Sequence, residues 1–345
     1  MSYQLFVVPF FVAFAVTTVL CLFLLALPWF RERLWRHTKR HEGKNHLPRL
    51  GGLAMCLAFL LVVLWEPHLV LTEEIIGLLI GSVFVCLFGL WDDFWELSFK
   101  AQAFLQAGLS ILLFIFGLRI TTLRNPFGET LVFSDGGAVT LLLGFLILCT
   151  WVFLVINAVN WLDGLDGLLG SVSLVTFLVI FLLSLKPEVN QPPIALLSII
   201  AVGVVASFLF FNLHPAKILA GTSGSMLLGL FIAALAVIAG TKVATALLVL
   251  ALPIADALWV IGERLWWKQS IFLPDQRHLH YKLRELGWSE GHITWFFFFL
   301  TAVIGVIALA TEALGKFIAF LLVISVIFSL LIFVAHQTKQ KKARV

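Results

Sequence analysis

Charge is scarce in this sequence of 345 residues. Asp, Glu, Lys and Arg make up 12% of it and hydrophobic residues 61%, whereas about 25% of an average soluble domain is charged. That shortage excludes an ordinary soluble domain and leaves a polytopic membrane protein. No long polar segment marks a second domain and no repeat of 20–50 residues is visible, so residues 1–345 read as a single integral-membrane domain. Cysteine is also scarce. Cys21, Cys56, Cys86 and Cys149 sit singly in apolar runs without CxxC spacing, which excludes a disulfide framework or a zinc set. The first apolar run lacks a preceding basic stretch and a small-residue cleavage site, so a retained helix is expected there and not a signal peptide.

What is present is apolar runs long enough to cross a bilayer, which takes about 20 residues per helix. Eleven spans are expected, at 5–28, 50–65, 74–91, 102–118, 139–156, 169–185, 193–211, 223–240, 243–262, 292–311 and 316–335. The fold class is therefore all-α, with about 11 transmembrane helices. The odd-numbered connections and the tail carry 18 of the 23 Lys and Arg. Cytoplasmic loops concentrate such residues, so these connections and the C-terminus are expected inside and the N-terminus outside. Residues 119–138 differ: Thr and Val runs flank Asn125-Pro126-Phe127-Gly128, which predicts a short β-hairpin on the outer surface.

Five inner segments hold most of the polar chemistry. The stretch Asn157-Ala-Val-Asn160-Trp-Leu-Asp163-Gly-Leu-Asp166-Gly167 places two carboxamides and two carboxylates between two spans. Polar groups at a membrane boundary are costly unless they bind something. A helix-capping turn would need only one or two of them. If the fifth span continues through this start, Asn157 and Asn160 share one helix face, with Asp163 a further three residues on. Asp92 and Asp93 end the third span, where adjacent negative charges oppose the helix dipole and each other. Binding Mg²⁺ or handling a proton would explain them better than stability. The basic loop from His37 through His41, Lys44 and Pro48 to Gly51-Gly52 suits a phosphate at a helix start, with positive-inside anchoring alone as the lesser alternative. Asn212, His214 and Lys217 lead into Gly221-Thr222-Ser223-Gly224-Ser225, which could cradle an anion or merely cap a helix. The longest inner loop follows Asp256, Glu263 and Arg264 and carries Arg277, His278 and His280; with no Cys or further His close by, an anion fits it better than zinc.

At these five segments the chain resembles the polyprenyl-phosphate N-acetylhexosamine-1-phosphate transferases. That family includes the UDP-GlcNAc enzymes that start O-antigen of lipopolysaccharide and enterobacterial common antigen, and the phospho-MurNAc-pentapeptide translocase of cell-wall synthesis. The matching pieces run in the family's order from His41 to His280: His41 and Lys44 with PRLGG, Asp92-Asp93 with Gln106 downstream, NAVNWLDGLDGL, FNLHPAK followed by GxSGS, and HLH. PRLGG and HLH look more like the UDP-GlcNAc branch. The resemblance implies transfer of a sugar 1-phosphate from a UDP-N-acetylhexosamine to a C55-type polyprenyl phosphate in the bacterial plasma membrane. UMP would leave, with Mg²⁺ or Mn²⁺ as cofactor. By similarity, Asp92, Asp93, Asp163 and Asp166 are the catalytic candidates. Lys44, Asn157, Asn160, Asn212, Arg277, His278 and His280 would bind substrate. Asp93, Asp166 and the position of Thr222 would hold the metal. No nucleic-acid partner is expected, and the oligomeric state stays open, with a homodimer among the options.

Three positions depart from the family pattern. Thr222 stands where the family's GDxGS loop has Asp, Tyr281 ends the usual HxHH, and Gln102 replaces a Lys downstream of the carboxylate pair. An impaired relative that binds lipid phosphate or nucleotide sugar is therefore the second reading. A secondary transporter is the third, disfavoured because the acidic groups gather at helix ends and not near the bilayer midplane.

Overall fold

The computed structural model describes residues 4–27, 47–123, 125, 127–133, 137–239, 243–270 and 277–343. In chain order these form α1 (Gln4–Ala26), α2 (Gly51–Trp65), α3 (Glu73–Trp95), α4 (Phe99–Ile115), β1 (Thr122–Leu123), β2 (Leu131–Val132), α5 (Gly137–Asn160) and α6 (Leu168–Ser184). They continue as α7 (Pro192–Asn212), α8 (Gly221–Ile238), α9 (Val243–Val249), α10 (Ala251–Trp266), α11 (Leu279–Glu285), α12 (Glu290–Ala310) and α13 (Ala313–Ala343). Each of the eleven expected stretches is largely helical. Among the described residues seven helices are long and apolar enough to cross a membrane, and the bent pair α9–α10 makes an eighth if it is one span. The other three, α2, α4 and α6, are 15–17 residues long. The expected hairpin is a two-stranded antiparallel sheet in which Thr122 pairs with Val132 and Leu123 with Leu131.

Burial divides the helices into two kinds. Helix α8 is apolar all round and 89% of its most hydrophobic window is buried, because α2, α3, α5 and α6 surround it. Helices α1 and α13 are more apolar still, yet only 22% and 17% of their most hydrophobic windows is covered. In water such exposed apolar faces would be a severe liability; in a bilayer lipid covers them. The protein is thus a multi-pass membrane protein with α8 as its axis. Without a hydrophobic drive between lipid-immersed helices, close packing has to hold them together. Phe59 of α2 lies 4.0 Å, centroid to centroid, from Phe231 of α8, and both are fully buried. Emptying such a site to Ala costs about 3–5 kcal/mol. At Gly52 a Cβ would fall 2.2 Å from the backbone N of Gly224, so a glycine is required where α2 crosses the start of α8.

The 70° bend between α9 and α10 has a local cause. Pro253, in the first turn of α10, lacks the N–H that would bond the carbonyl of Val249, and its ring crowds that carbonyl. Helix α3 ends because Glu96 turns left-handed (φ 46°), leaving Asp92 and Asp93 in the last turn. The C-terminal ends of α3, α5 and α7 meet the N-terminal end of α8 and the short helix α11 at one end of the bundle, and there the polar residues collect.

Candidate functional site

The segment 161–167 is the hub of this end. Helix α5 leads up to it and carries Asn157 and Asn160, but stops at Asn160, so Asp163 lies in the following turns and not on the same helix face. Asn157 is buried; its Nδ2 donates to Gln106 Oε1 (2.8 Å) and to the Phe153 carbonyl (2.7 Å). Asn160 Oδ1 accepts from Ser225 Oγ of α8. Trp161 packs on the His278 ring at 5.8 Å. Gly164 lies against His280 and Tyr281. Asp166 accepts from His214 Nδ1 (2.9 Å) and from the Ala216 N–H (3.1 Å).

The two acidic residues of α3 face the first turn of α8. Asp93 Oδ1 accepts the Thr222 N–H (2.8 Å), and its Oδ2 accepts the Ser223 N–H (3.2 Å) and hydroxyl (3.0 Å). Asp92 Oδ1 accepts from the Leu97 N–H and from Gln102 Nε2, both at 2.8 Å, and its Oδ2 from the Thr222 hydroxyl at 2.6 Å. Both carboxylates are more than nine-tenths buried. Stability therefore accounts for more of the pair than its place at a helix C-terminus led us to expect. Asp93 is unfavourable for its own helix dipole but supplies the anion that the N-terminus of α8 favours. The fit to a divalent cation follows from the remaining acceptor capacity. Each carboxylate oxygen takes about two hydrogen bonds. Among the described residues Asp92 Oδ2 and Asp93 Oδ1 each accept a single hydrogen bond, so the pair could offer two oxygen ligands. Mg²⁺ usually takes one or two carboxylates, with substrate phosphates and waters completing its shell. The residues present fit the ion.

The expected metal set does not assemble as one cluster. Asp93 and Thr222 meet, but Asp166 is grouped with His214 and Glu290. Asn212 is a clamp: its Oδ1 accepts the Gly167 N–H (3.1 Å) and its Nδ2 donates to the Ile218 carbonyl (2.9 Å), so both ends of the amide expected to bind substrate are engaged within the protein. Lys44 lies outside the described residues. Arg277 donates to Gln269 Oε1.

The HLH segment is held by a residue that sequence reasoning left unassigned. Asp256 accepts His278 Nδ1 (3.0 Å) with one oxygen and the Leu279 N–H (2.7 Å) with the other. A carboxylate within an apolar span was the signal that pointed to it. The His278 and His280 rings stack in parallel, 5.7 Å apart. His280 is fully buried, and neither ring nitrogen has a partner among the described residues. Burial pushes its pKa down to about 3, so the ring is neutral near pH 7. It therefore brings no positive charge to an anion, contrary to the expectation for this motif, and a neutral ring offers one N–H donor. Glu290 was also missed, since Ser289-Glu290 reads as nothing more than an N-cap and an acidic first turn.

Residues 75–240 match the family described as Glycosyl transferase family 4. The chain is 31% identical, over 81% of its length and 78% of the relative's, to a probable undecaprenyl-phosphate N-acetylglucosaminyl 1-phosphate transferase of Bacillus subtilis. It is 29% identical, over 88% and 92%, to a phospho-N-acetylmuramoyl-pentapeptide-transferase of Helicobacter hepaticus. It is 30% identical, over 71% and 68%, to a decaprenyl-phosphate N-acetylglucosaminephosphotransferase of Mycobacterium leprae.

Proposed function

The chain belongs to glycosyl transferase family 4, and we propose that it transfers an N-acetylhexosamine 1-phosphate, most simply GlcNAc 1-phosphate, from its UDP-sugar to polyprenyl phosphate at the cytoplasmic face of a bacterial plasma membrane. An oxygen of the lipid phosphate attacks the β-phosphorus of the UDP-sugar. The bond to the bridging oxygen breaks, UMP leaves, and a lipid-linked diphosphosugar stays in the membrane. One observation supports this above the others: the carboxylate pair of α3, the carboxamides at the end of α5, the first turn of α8 and the HLH segment all converge on one end of the bundle. A reaction joining a soluble nucleotide sugar to a lipid phosphate needs polar groups gathered at a membrane boundary.

When bound, Mg²⁺ would offset charge on the diphosphate, held by Asp92 and Asp93. Asn160 and Asp163 would face the nucleotide, and His278, oriented by Asp256, would meet a phosphate. The eleven-span topology with the N-terminus outside belongs to the same reading. It is supported by the Lys/Arg asymmetry and by exposed Trp91, Trp95, Trp266 and Trp267 at the proposed inner end. Thr222 favours a second reading, an impaired relative that still binds lipid phosphate or nucleotide sugar, because its hydroxyl occupies the place of the family carboxylate. Labelled UDP-GlcNAc incubated with the purified protein and polyprenyl phosphate separates the two. Label in the lipid extract with equimolar UMP supports the transferase; nucleotide binding without either product supports the impaired relative.

A further inference from the structure

We propose that Asp166, His214 and Glu290 form a site for a divalent transition-metal ion, Zn²⁺ or Mn²⁺, separate from the Asp92–Asp93 pair. One ligand atom from each lies within 4.8 Å of the others. His214 Nδ1 is 2.9 Å from Asp166 Oδ2 and 3.7 Å from Glu290 Oε2. The three come from separate parts of the chain: the hub segment, the connection after α7, and the first turn of α12. One imidazole nitrogen with two carboxylate oxygens is a mixed donor set. Imidazole favours transition metals, whereas Mg²⁺ prefers oxygen alone.

The three segments are fixed by bonds that leave the metal-facing groups in place. Thr294 Oγ1 donates to the Asp166 carbonyl (2.8 Å), tying the hub to α12. Asn212 joins Gly167 to Ile218 and so brackets the loop that carries His214. The Ala216 N–H donates to Asp166 Oδ2 (3.1 Å), the oxygen that also contacts His214 Nδ1, and so fixes it beside the imidazole. Ligands oriented by such outer bonds lose little freedom when an ion arrives. Asp166 is buried, the Glu290 side chain is 16% exposed and the His214 side chain 53%, so the cluster opens to solvent on the histidine side, where an ion can enter. Glu290 also faces Arg284 (Nη1 to Oε1, 3.7 Å) and accepts the Asp166 N–H (3.4 Å), so an ion-pair and hydrogen-bond cluster is the competing explanation for the contacts, and it predicts no metal.

The test uses the full chain in detergent and needs neither substrate, so it stands or falls independently of the transferase reading. Chelated protein is titrated with Mn²⁺ in excess Mg²⁺, which fills oxygen-only sites, and pulsed electron paramagnetic resonance reads nitrogen coupling to bound Mn²⁺. One ion per chain with imidazole coupling is expected. Zn²⁺ should displace it, and the coupling should be lost in His214→Gln. Glu290→Gln should weaken binding about tenfold or more. His214 is largely exposed, and an unchanged melting temperature in chelator shows that its variant folds. The proposal is overturned if the parent shows no nitrogen coupling, or if both variants bind Mn²⁺ as the parent does.

Discussion

Asp93 of α3 accepts the backbone N–H of Thr222 at 2.8 Å and that of Ser223 at 3.2 Å, so one carboxylate closes the N-terminus of α8 from another helix. The first prediction follows from that double duty. Asp93→Asn should abolish lipid-product formation and also lower thermal stability, because a carboxamide NH₂ would face backbone donors. Losing a good helix cap costs about 0.5–2 kcal/mol. Thermal unfolding in detergent measures the second effect and UMP release the first. Full turnover in a folded Asn variant would show that the wrong carboxylate has been assigned.

Gly164 tests the contact between the hub and the HLH segment. A Cβ there would lie 2.5 Å from His280 Nε2 and 2.7 Å from the Tyr281 hydroxyl. One of the two segments must move, and displacements of about 1 Å can cost about 100-fold in rate. Gly164→Ala should therefore lose transfer activity while Gly262→Ala, with nothing within 4 Å, keeps it. Equal rates in the two variants would disconnect His280 from the chemistry.

The helices were legible because an apolar run bounded by polar turns has few other solutions, and the hairpin because Asn-Pro and Gly interrupt β-branched runs. The composition of the hub was legible for the same reason: six polar or glycine positions in eleven residues exceed what a turn needs. Its internal division was not. Asn212 looks like a ligand in sequence, yet both its amide groups are spent holding Gly167 and Ile218. Asp93 looks unfavourable in sequence because its partner, the start of α8, lies 129 residues away. Glu290 becomes noteworthy only when α12 brings it to His214. Long-range pairing decides each case, and local patterns do not encode it.

His280 gives the third prediction. Its folded pKa, about 3, lies below the ordinary histidine value of about 6.5. Between those values the unfolded chain binds a proton that the folded chain excludes. Stability should therefore fall as pH drops from about 6.5 toward 3, by at most about 1.4 kcal/mol per pH unit from this residue. His280→Gln removes that contribution. Thermal unfolding at about pH 7.5 and 5.5 should show a smaller acid-induced drop in the Gln variant than in the parent; an identical drop would contradict a buried neutral ring.

The proposed topology makes the fourth. Glu129 lies by the hairpin and Lys268 just beyond α10, and both are exposed. Cysteines placed there singly should react with a membrane-impermeant maleimide from opposite sides of sealed vesicles, Glu129→Cys from outside and Lys268→Cys only after permeabilisation. Labelling of both from one side would break the eleven-span arrangement.

Thr222 carries the last. Its hydroxyl donates to Asp92 Oδ2 at 2.6 Å, and its own N–H to Asp93. A carboxylate at this position would sit beside two buried ones, an arrangement that repels without a cation and binds one strongly with it. Removing one preorganised electrostatic group typically lowers a rate roughly 10²–10³-fold. Thr222→Asp should therefore raise UMP release by about that factor at saturating Mg²⁺ and reach half-maximal rate at lower Mg²⁺. It should also melt below the parent in chelator and recover when Mg²⁺ is added, a response that a residue serving only to cap α8 would not produce. If the Asp variant is no faster at any Mg²⁺ concentration and its melting does not respond to the ion, the first turn of α8 does not supply a metal ligand, and the assignment of Mg²⁺ to this turn fails.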